Sequence, residues 1–184
     1  SEMCIRDRVF VIEADEYDTC YFDKRPKFFH YRPNILLINN IEFDHADIYE
    51  NIEMIEKNFF ELIKTMPLKS KVLINEKKVS KSFRNKLKKE KLKTTLQFLS
   101  LNASNIHEEN KLLAAHAIED LISKEKVLNG LKDYTGVKRR FEIIFNDKNF
   151  KLIDDFAHHP TAIEETNKMI REQTDNLTLI VELG

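Results

Sequence analysis

A chain of 184 residues with 30 basic and 31 acidic side chains carries a formal charge of −1, which gives no electrostatic case for nucleic acid or an anionic membrane as partner. Its 42% hydrophobic content suits a buried core and excludes a disordered chain, and its length fits one domain or one domain plus part of another. Cys4 and Cys20 form no disulfide framework or CxxC pair, and neither a signal-peptide core nor a membrane-length apolar run of ~20 residues is present, so a cytoplasmic setting is expected.

Residues 1–8 break the pattern that begins at Val9 and resemble the translated end of a sequencing adapter. They are set aside as a scar, which would make the chain a piece of a longer protein. Val9–Glu13 is a short β-rich run, followed by a charged, aromatic loop with Pro26 and Pro33 and a second strand over Ile35–Asn39. Ile52, Ile55, Phe59, Leu62 and Ile63 recur at three- and four-residue intervals and predict an amphipathic helix closed by Pro67. Lys71–Asn75 is the next strand. The basic run Lys77–Lys93 places Val79, Phe83 and Leu87 at helical spacing, and without an aromatic platform it reads as a solvated helix face rather than a nucleic-acid patch. A strand near Leu96–Leu99 follows, then helices over Asn110–Ile122 and Glu125–Tyr134, the latter ending at Gly136. Phe141–Phe145 and Phe150–Asp154 read as strands joined by the turn at residues 146–149. Pro160 opens a helix running to Arg171, and Leu177–Glu182 begins one more strand. Strands alternating with helices predict an α/β fold with a mostly parallel sheet flanked by helices. A domain border is expected between residues 137 and 138.

The most informative residues follow the first two apolar runs. Glu13-Ala14-Asp15-Glu16-Tyr17-Asp18 comes directly after Val9–Ile12, and Asn40-Ile41-Glu42-Phe43-Asp44-His45-Ala46-Asp47 comes after Ile35–Ile38. Magnesium takes hard oxygen ligands and needs only one or two protein carboxylates, the rest being water and phosphate oxygens. In parallel sheets the ligand crevice lies beyond the carboxyl ends of the strands. The chain therefore reads as part of a nucleotide-using enzyme.

These phrases, with Phe22-Asp23-Lys24-Arg25, His30-Tyr31-Arg32-Pro33, Lys138-Arg139-Arg140-Phe141-Glu142 and Asp154-Asp155-Phe156-Ala157-His158-His159-Pro160-Thr161, resemble the Mur ligases. These are ATP-dependent, amide-bond-forming enzymes of peptidoglycan synthesis and recycling. The resemblance runs in order from Val9 to about Gly184 and is loosest between Lys69 and Asn105. It implies part of the family's central ATPase domain over residues 9–137 and the beginning of a Rossmann-like C-terminal domain over 138–184. It also implies ATP and Mg2+ as cofactors, and UDP-N-acetylmuramate and a murein tripeptide as small-molecule substrates. Residue by residue, Glu13 and His45 match the metal-holding positions, Asn110 the asparagine that reads adenine, and Arg140 an arginine facing the γ-phosphate. Asp155 matches an aspartate that meets ribose, and His158 and His159 match positions beside phosphate or the incoming peptide. Catalytic roles would fall to Glu13, His45 and Arg140. Asp15, Glu16, Asp18, Asp44 and Asp47 would support the metal site from behind or face solvent.

Taken singly, these residues have plainer readings. Glu13 is also a capping acid, His45 a hydrogen-bonded loop histidine, Asn110 a helix N-terminal asparagine, and His158 and His159 structural caps. The phosphate-cradling G-x-x-x-x-G-K-[ST] loop is missing from these 184 residues, whose three glycines are Gly130, Gly136 and Gly184. Two alternatives therefore stay open: the sister ligase that adds L-alanine to UDP-N-acetylmuramate, and a degenerate, non-catalytic binding protein. A carboxylate–histidine metallohydrolase would need a second ligand set such as H-x-x-x-H, which the sequence lacks.

Overall fold

The structure is a computed structural model and describes residues 9–14, 17–43, 48–134 and 136–181. The chain divides into two compact units, Ser1–Ser100 and Leu101–Gly184.

In the first unit, residues 9–14 join no ladder, contrary to the strand expected at Val9–Glu13, and Val11 is 83% exposed. β-propensity does not hold a strand by itself, because its N–H and C=O groups need a neighbouring chain. Ala14 nevertheless packs against the core. The expected loop around Pro26 is instead a hairpin, in which β1 (Asp18–Cys20) pairs antiparallel with β2 (Asp23–Pro26). Polar contacts hold it: Lys24 pairs with Asp18 at 3.0 Å, and Thr19 Oγ1 donates to the Arg25 carbonyl at 2.9 Å. No alternating apolar face marks such a ribbon in sequence.

The parallel sheet is as expected. β3 (Ile35–Ile38), β4 (Lys71–Asn75) and β5 (Thr95–Leu99) lie in the order β3-β4-β5, with Ile35 beside Lys71 and Ile74 beside Phe98. The central strand is covered on both faces, so Val72, Leu73 and Ile74 are wholly buried and read as a continuous apolar run. Between β3 and β4 runs α1 (Ile52–Thr65), capped by the Asn51 side chain, which accepts the Met54 N–H at 3.1 Å. It stops at Met66, whose extended backbone is the conformation that Pro67 imposes on the residue before it. Between β4 and β5 runs α2 (Lys81–Lys89), capped by Ser80, whose Oγ accepts the Phe83 N–H at 3.0 Å. Phe83 and Leu87, four residues apart, are buried on one face. The basic residues lie over the core edge, with the Lys86 ammonium 4.1 Å from the Phe60 ring and that of Lys88 4.7 Å from Phe98. The basic run is thus a solvated face whose aliphatic stems shield apolar rings.

The second unit holds α3 (Ile106–Ile118), α4 (Lys124–Lys132), an antiparallel hairpin of β6 (Glu142–Asn146) and β7 (Lys151–Asp154), and α5 (Pro160–Arg171). The third helix starts four residues ahead of the expected Asn110 because Asn105 caps it. Its Oδ1 accepts the Glu108 N–H at 3.0 Å, and the Glu108 carboxylate accepts the Ser104 N–H at 2.7 Å. At the hairpin turn, Asp147 Oδ1 accepts the N–H groups of Asn149 and Phe150. Leu101, Leu113 and Val127 are buried here, whereas Ile143, Phe145, Phe150 and Leu152 stay largely exposed. The strand expected at Leu177–Glu182 joins no ladder over 177–181, and Ile180 is 90% exposed. The border expected between residues 137 and 138 falls inside this second unit. Among the described residues no helix is long and apolar enough to cross a membrane.

Candidate functional site

The expected site residues fall on both units. In the first, two neighbouring parallel strands end in asparagine: Asn39 follows β3 and Asn75 closes β4. Asn75 is wholly buried, and its Nδ2 donates to Asn39 Oδ1 at 3.4 Å. The Ile41 N–H donates to the Lys78 carbonyl at 3.1 Å, tying the loop after β3 to the turn after β4. The direction in which residues 40–43 leave the sheet is therefore fixed at the carboxyl edge, where ligands of parallel sheets bind. Sequence reading passed over both asparagines, although an apolar run ending in asparagine occurs twice.

Glu13 is exposed on the unpaired 9–14 segment. Of the carboxylates around it, Asp18 is engaged with Lys24. His45, Asp44, Asp47, Asp15 and Glu16 lie outside the described residues. Among the described residues no three His, Cys, Asp or Glu side chains group as for a metal ion. A magnesium site of one or two carboxylates completed by water and phosphate does not require such a group, and the accessible Glu13 carboxylate suits it. Nearby, Asp23 accepts Arg25 Nε at 2.9 Å, Arg25 Nη2 at 2.8 Å and the Arg25 N–H at 3.1 Å, with His30 Nε2 at 3.0 Å. Those bonds, the Arg25 guanidinium first, hold its carboxyl well below the usual carboxylate range.

In the second unit, Asn110 is exposed and sits in the second turn of α3, while Asn105 is the cap, so the plain helix-start reading of Asn110 does not hold. Arg140 and His158 both lie against the Phe156 ring, at 5.5 and 5.4 Å, next to Asp155 and near the junction of the 138–141 segment with the end of β7, while His159 stands at the start of α5. Asp155 Oδ2 accepts the Phe141 N–H at 2.8 Å and the Thr166 hydroxyl at 3.3 Å, and Oδ1 accepts the Ala157 N–H at 2.8 Å. Three of its roughly four acceptor positions are thereby used. The Phe156 N–H donates to the Arg139 carbonyl at 2.8 Å. Arg139 (φ 57°) and Phe141 (φ 52°) are both left-handed, costing on the order of 1 kcal/mol each for such side chains. Arg139 pairs with Asp154 at 3.3 Å, and the guanidinium carbons of Arg139 and Arg140 lie 5.1 and 5.5 Å from the Phe156 ring centre.

His159 caps α5, its Nδ1 accepting the Thr161 N–H at 3.3 Å ahead of Pro160, which satisfies the expected cap role. The neighbouring ring, His158, places Nδ1 3.1 Å from the Phe156 carbonyl, a bond the Nδ1–H tautomer donates. A cleft of about 310 Å³ opens here, with Arg139, Asp155 and His158 among its polar lining and Phe156, Ile163 and Leu179 among its apolar lining. Thr166 was not legible as part of this cluster, since nothing in a helical sequence marks which face meets a distant carboxylate.

The comparisons with known proteins agree with this frame. The sequence matches the Mur ligase middle domain over residues 2–129. It is 32% identical over 89% of its length to the UDP-N-acetylmuramate–L-alanyl-γ-D-glutamyl-meso-2,6-diaminoheptandioate ligase of Haemophilus influenzae, of which it covers 43%. The same-named ligase of Escherichia coli is 31% identical over 94% of the chain and is covered to 44%. A UDP-N-acetylmuramate–L-alanine ligase of Salinibacter ruber is 30% identical over 86% of the chain, with 38% of that protein covered. The fold resembles the crystal structure of a murein peptide ligase from Psychrobacter arcticus, with a TM-score of 0.66 and 28% identity over 96% of this chain and 44% of that one. The chain thus spans less than half the length of the curated relatives it matches. On the extent of the matched domain and the agreement of fold, this chain belongs to the Mur ligase family.

Proposed function

We propose that the chain is part of an ATP-dependent ligase that joins UDP-N-acetylmuramate to a murein tripeptide in the cytoplasm. Residues 9–137 would belong to the central ATP-binding domain and 138–184 begin the C-terminal domain. The observation that carries the reading is the 31–32% identity, over about nine-tenths of the chain, to two ligases named for that reaction. In the reaction, the muramate carboxylate attacks the γ-phosphorus of ATP, giving an acyl phosphate and ADP. The tripeptide amine then adds to the acyl carbon, phosphate leaves, and an amide remains. Magnesium supplies charge neutralisation at the transferred phosphoryl group. Glu13 and His45 would hold that ion, and Arg140 would face the γ-phosphate as a fixed positive charge. Asn110 would contact adenine, Asp155 ribose through its remaining acceptor position, and His158 or His159 phosphate or the peptide. The 184 residues contain no phosphate-cradling loop and by themselves do not complete the reaction.

The L-alanine ligase reading is favoured by one observation, the 30% identity to the Salinibacter ruber enzyme. A single experiment separates the readings. The longest protein encoded at the source locus is given ATP, MgCl2 and UDP-N-acetylmuramate, with L-alanine and the tripeptide in competition. Tripeptide product supports the proposal, alanine product supports the sister activity, and no product with retained substrate binding supports a non-catalytic binding protein.

A further inference from the structure

We infer that Asp155, braced by Thr166, is a positioning residue that sets the Arg139–Phe141 turn and through it aims Arg140. Arg140's task as phosphate partner rests on the proposed function; the clamp itself rests on the structure alone. Neighbouring residues of an extended chain point to opposite sides. Arg139 and Arg140 instead bring both guanidinium groups onto one ring, Phe156, at 5.1 and 5.5 Å. The left-handed backbone at Arg139 and Phe141 makes this convergence possible, and neither residue type favours that conformation unaided. The stabilising contacts come from the other side of the junction. Phe141 donates its N–H to Asp155 Oδ2, and Arg139 accepts the Phe156 N–H through its carbonyl, so the two residues beside Arg140 are pinned to consecutive residues, 155 and 156. Thr166 on α5 donates to the same Oδ2, and Ala157 to Oδ1, which fixes the carboxylate that does the pinning.

The charge distribution gives the turn its purpose. Arg139 is neutralised by Asp154 at 3.3 Å, whereas among the described residues Arg140 has no carboxylate partner. A guanidinium held on an aromatic face beside a second, already paired guanidinium keeps its charge for an anion. Asp155 thus acts on that anion chiefly through Arg140.

The test uses the 184-residue chain and needs no ligand. Amide exchange of the peptide spanning 138–142 and the rate at which an arginine-selective dicarbonyl, phenylglyoxal, modifies Arg140 are followed by mass spectrometry in wild type, Asp155→Asn and Thr166→Val. Asparagine has one acceptor oxygen for N–H groups now served by two, so Asp155→Asn should speed Phe141 exchange about tenfold, the worth of a hydrogen bond to a charged group. Arg140 modification should change with it, while Arg84 modification and exchange in residues 52–65 stay at wild-type values. Thr166→Val, the milder change, should shift both readouts in the same direction. Wild-type exchange and Arg140 reactivity in both variants would overturn the inference. Opened exchange with unchanged Arg140 reactivity would overturn the aiming role. If the clamp behaves as expected but Arg140→Gln leaves activity of the longer ligase intact, the phosphate role of Arg140 fails and the clamp stands.

Discussion

Replacing Phe83 by alanine tests the account of the first unit most directly, because one side chain links the basic helix to the sheet. Phe83 is 1% exposed, lies in the same apolar cluster as Phe28, Phe60, Val72 and Ile74, and follows a serine cap that its own N–H completes. Removing the phenyl ring takes away roughly 150 Å² of apolar burial. At about 25 cal/mol per Å² that is roughly 4 kcal/mol, inside the range of about 3–5 kcal/mol measured for buried aromatic truncations. Lys81, on the outer face of the same helix, should cost less than about 0.5 kcal/mol when changed to alanine. Ser80→Ala should fall between them, at about 1 kcal/mol for the lost cap. Amide exchange of β4 (Lys71–Asn75) is the assay, since those buried amides report opening of this unit rather than of the whole chain. A Phe83→Ala cost below about 1 kcal/mol, or a Lys81→Ala cost equal to it, would refute the amphipathic packing of α2. The basic run would then need another explanation.

Glu13→Gln should leave stability unchanged, since the side chain is exposed, and should weaken Mn2+ binding in the presence of ATP, read by electron paramagnetic resonance; unchanged binding would remove Glu13 from the metal site. Asp23 is held below its ordinary value by Arg25, so its contribution to stability is present above the unfolded carboxylate pKa of about 3.9 and is lost as pH falls from there toward the lower folded value. Acid titration of Asp23→Asn should accordingly lack the part of the wild-type stability loss that sets in below that pH, and identical titrations would contradict the pairing. Gly136 has φ +106° with open space where a Cβ would stand, so Gly136→Ala should cost about 1 kcal/mol or more from backbone strain alone, read as a lower melting temperature. Asn75→Ala should destabilise by about 1–3 kcal/mol by stripping a wholly buried partner from Asn39, measured by urea unfolding.

By itself the sequence determined what depends on neighbours along the chain. Lys71–Asn75 and Pro160–Arg171 appear with the bounds their apolar runs and Pro160 predict, and α1 ends where Pro67 requires. The parallel α/β layering followed from the alternation of such segments. The candidate metal and phosphate residues stood out because each sits in a phrase adjoining an apolar run. Tertiary structure decided whatever needs a partner remote in sequence. Residues 9–14 and 177–181 have strand composition, yet no ladder receives them in the described structure. The β1–β2 hairpin has a loop's composition and forms through Asp18–Lys24 and the Thr19–Arg25 contact. Asn39 meets Asn75 only because two parallel strands end side by side. Asp155 reaches Phe141 and Thr166 across fourteen and eleven residues, so its clamp on the Arg140 turn depends on distances that no local pattern encodes.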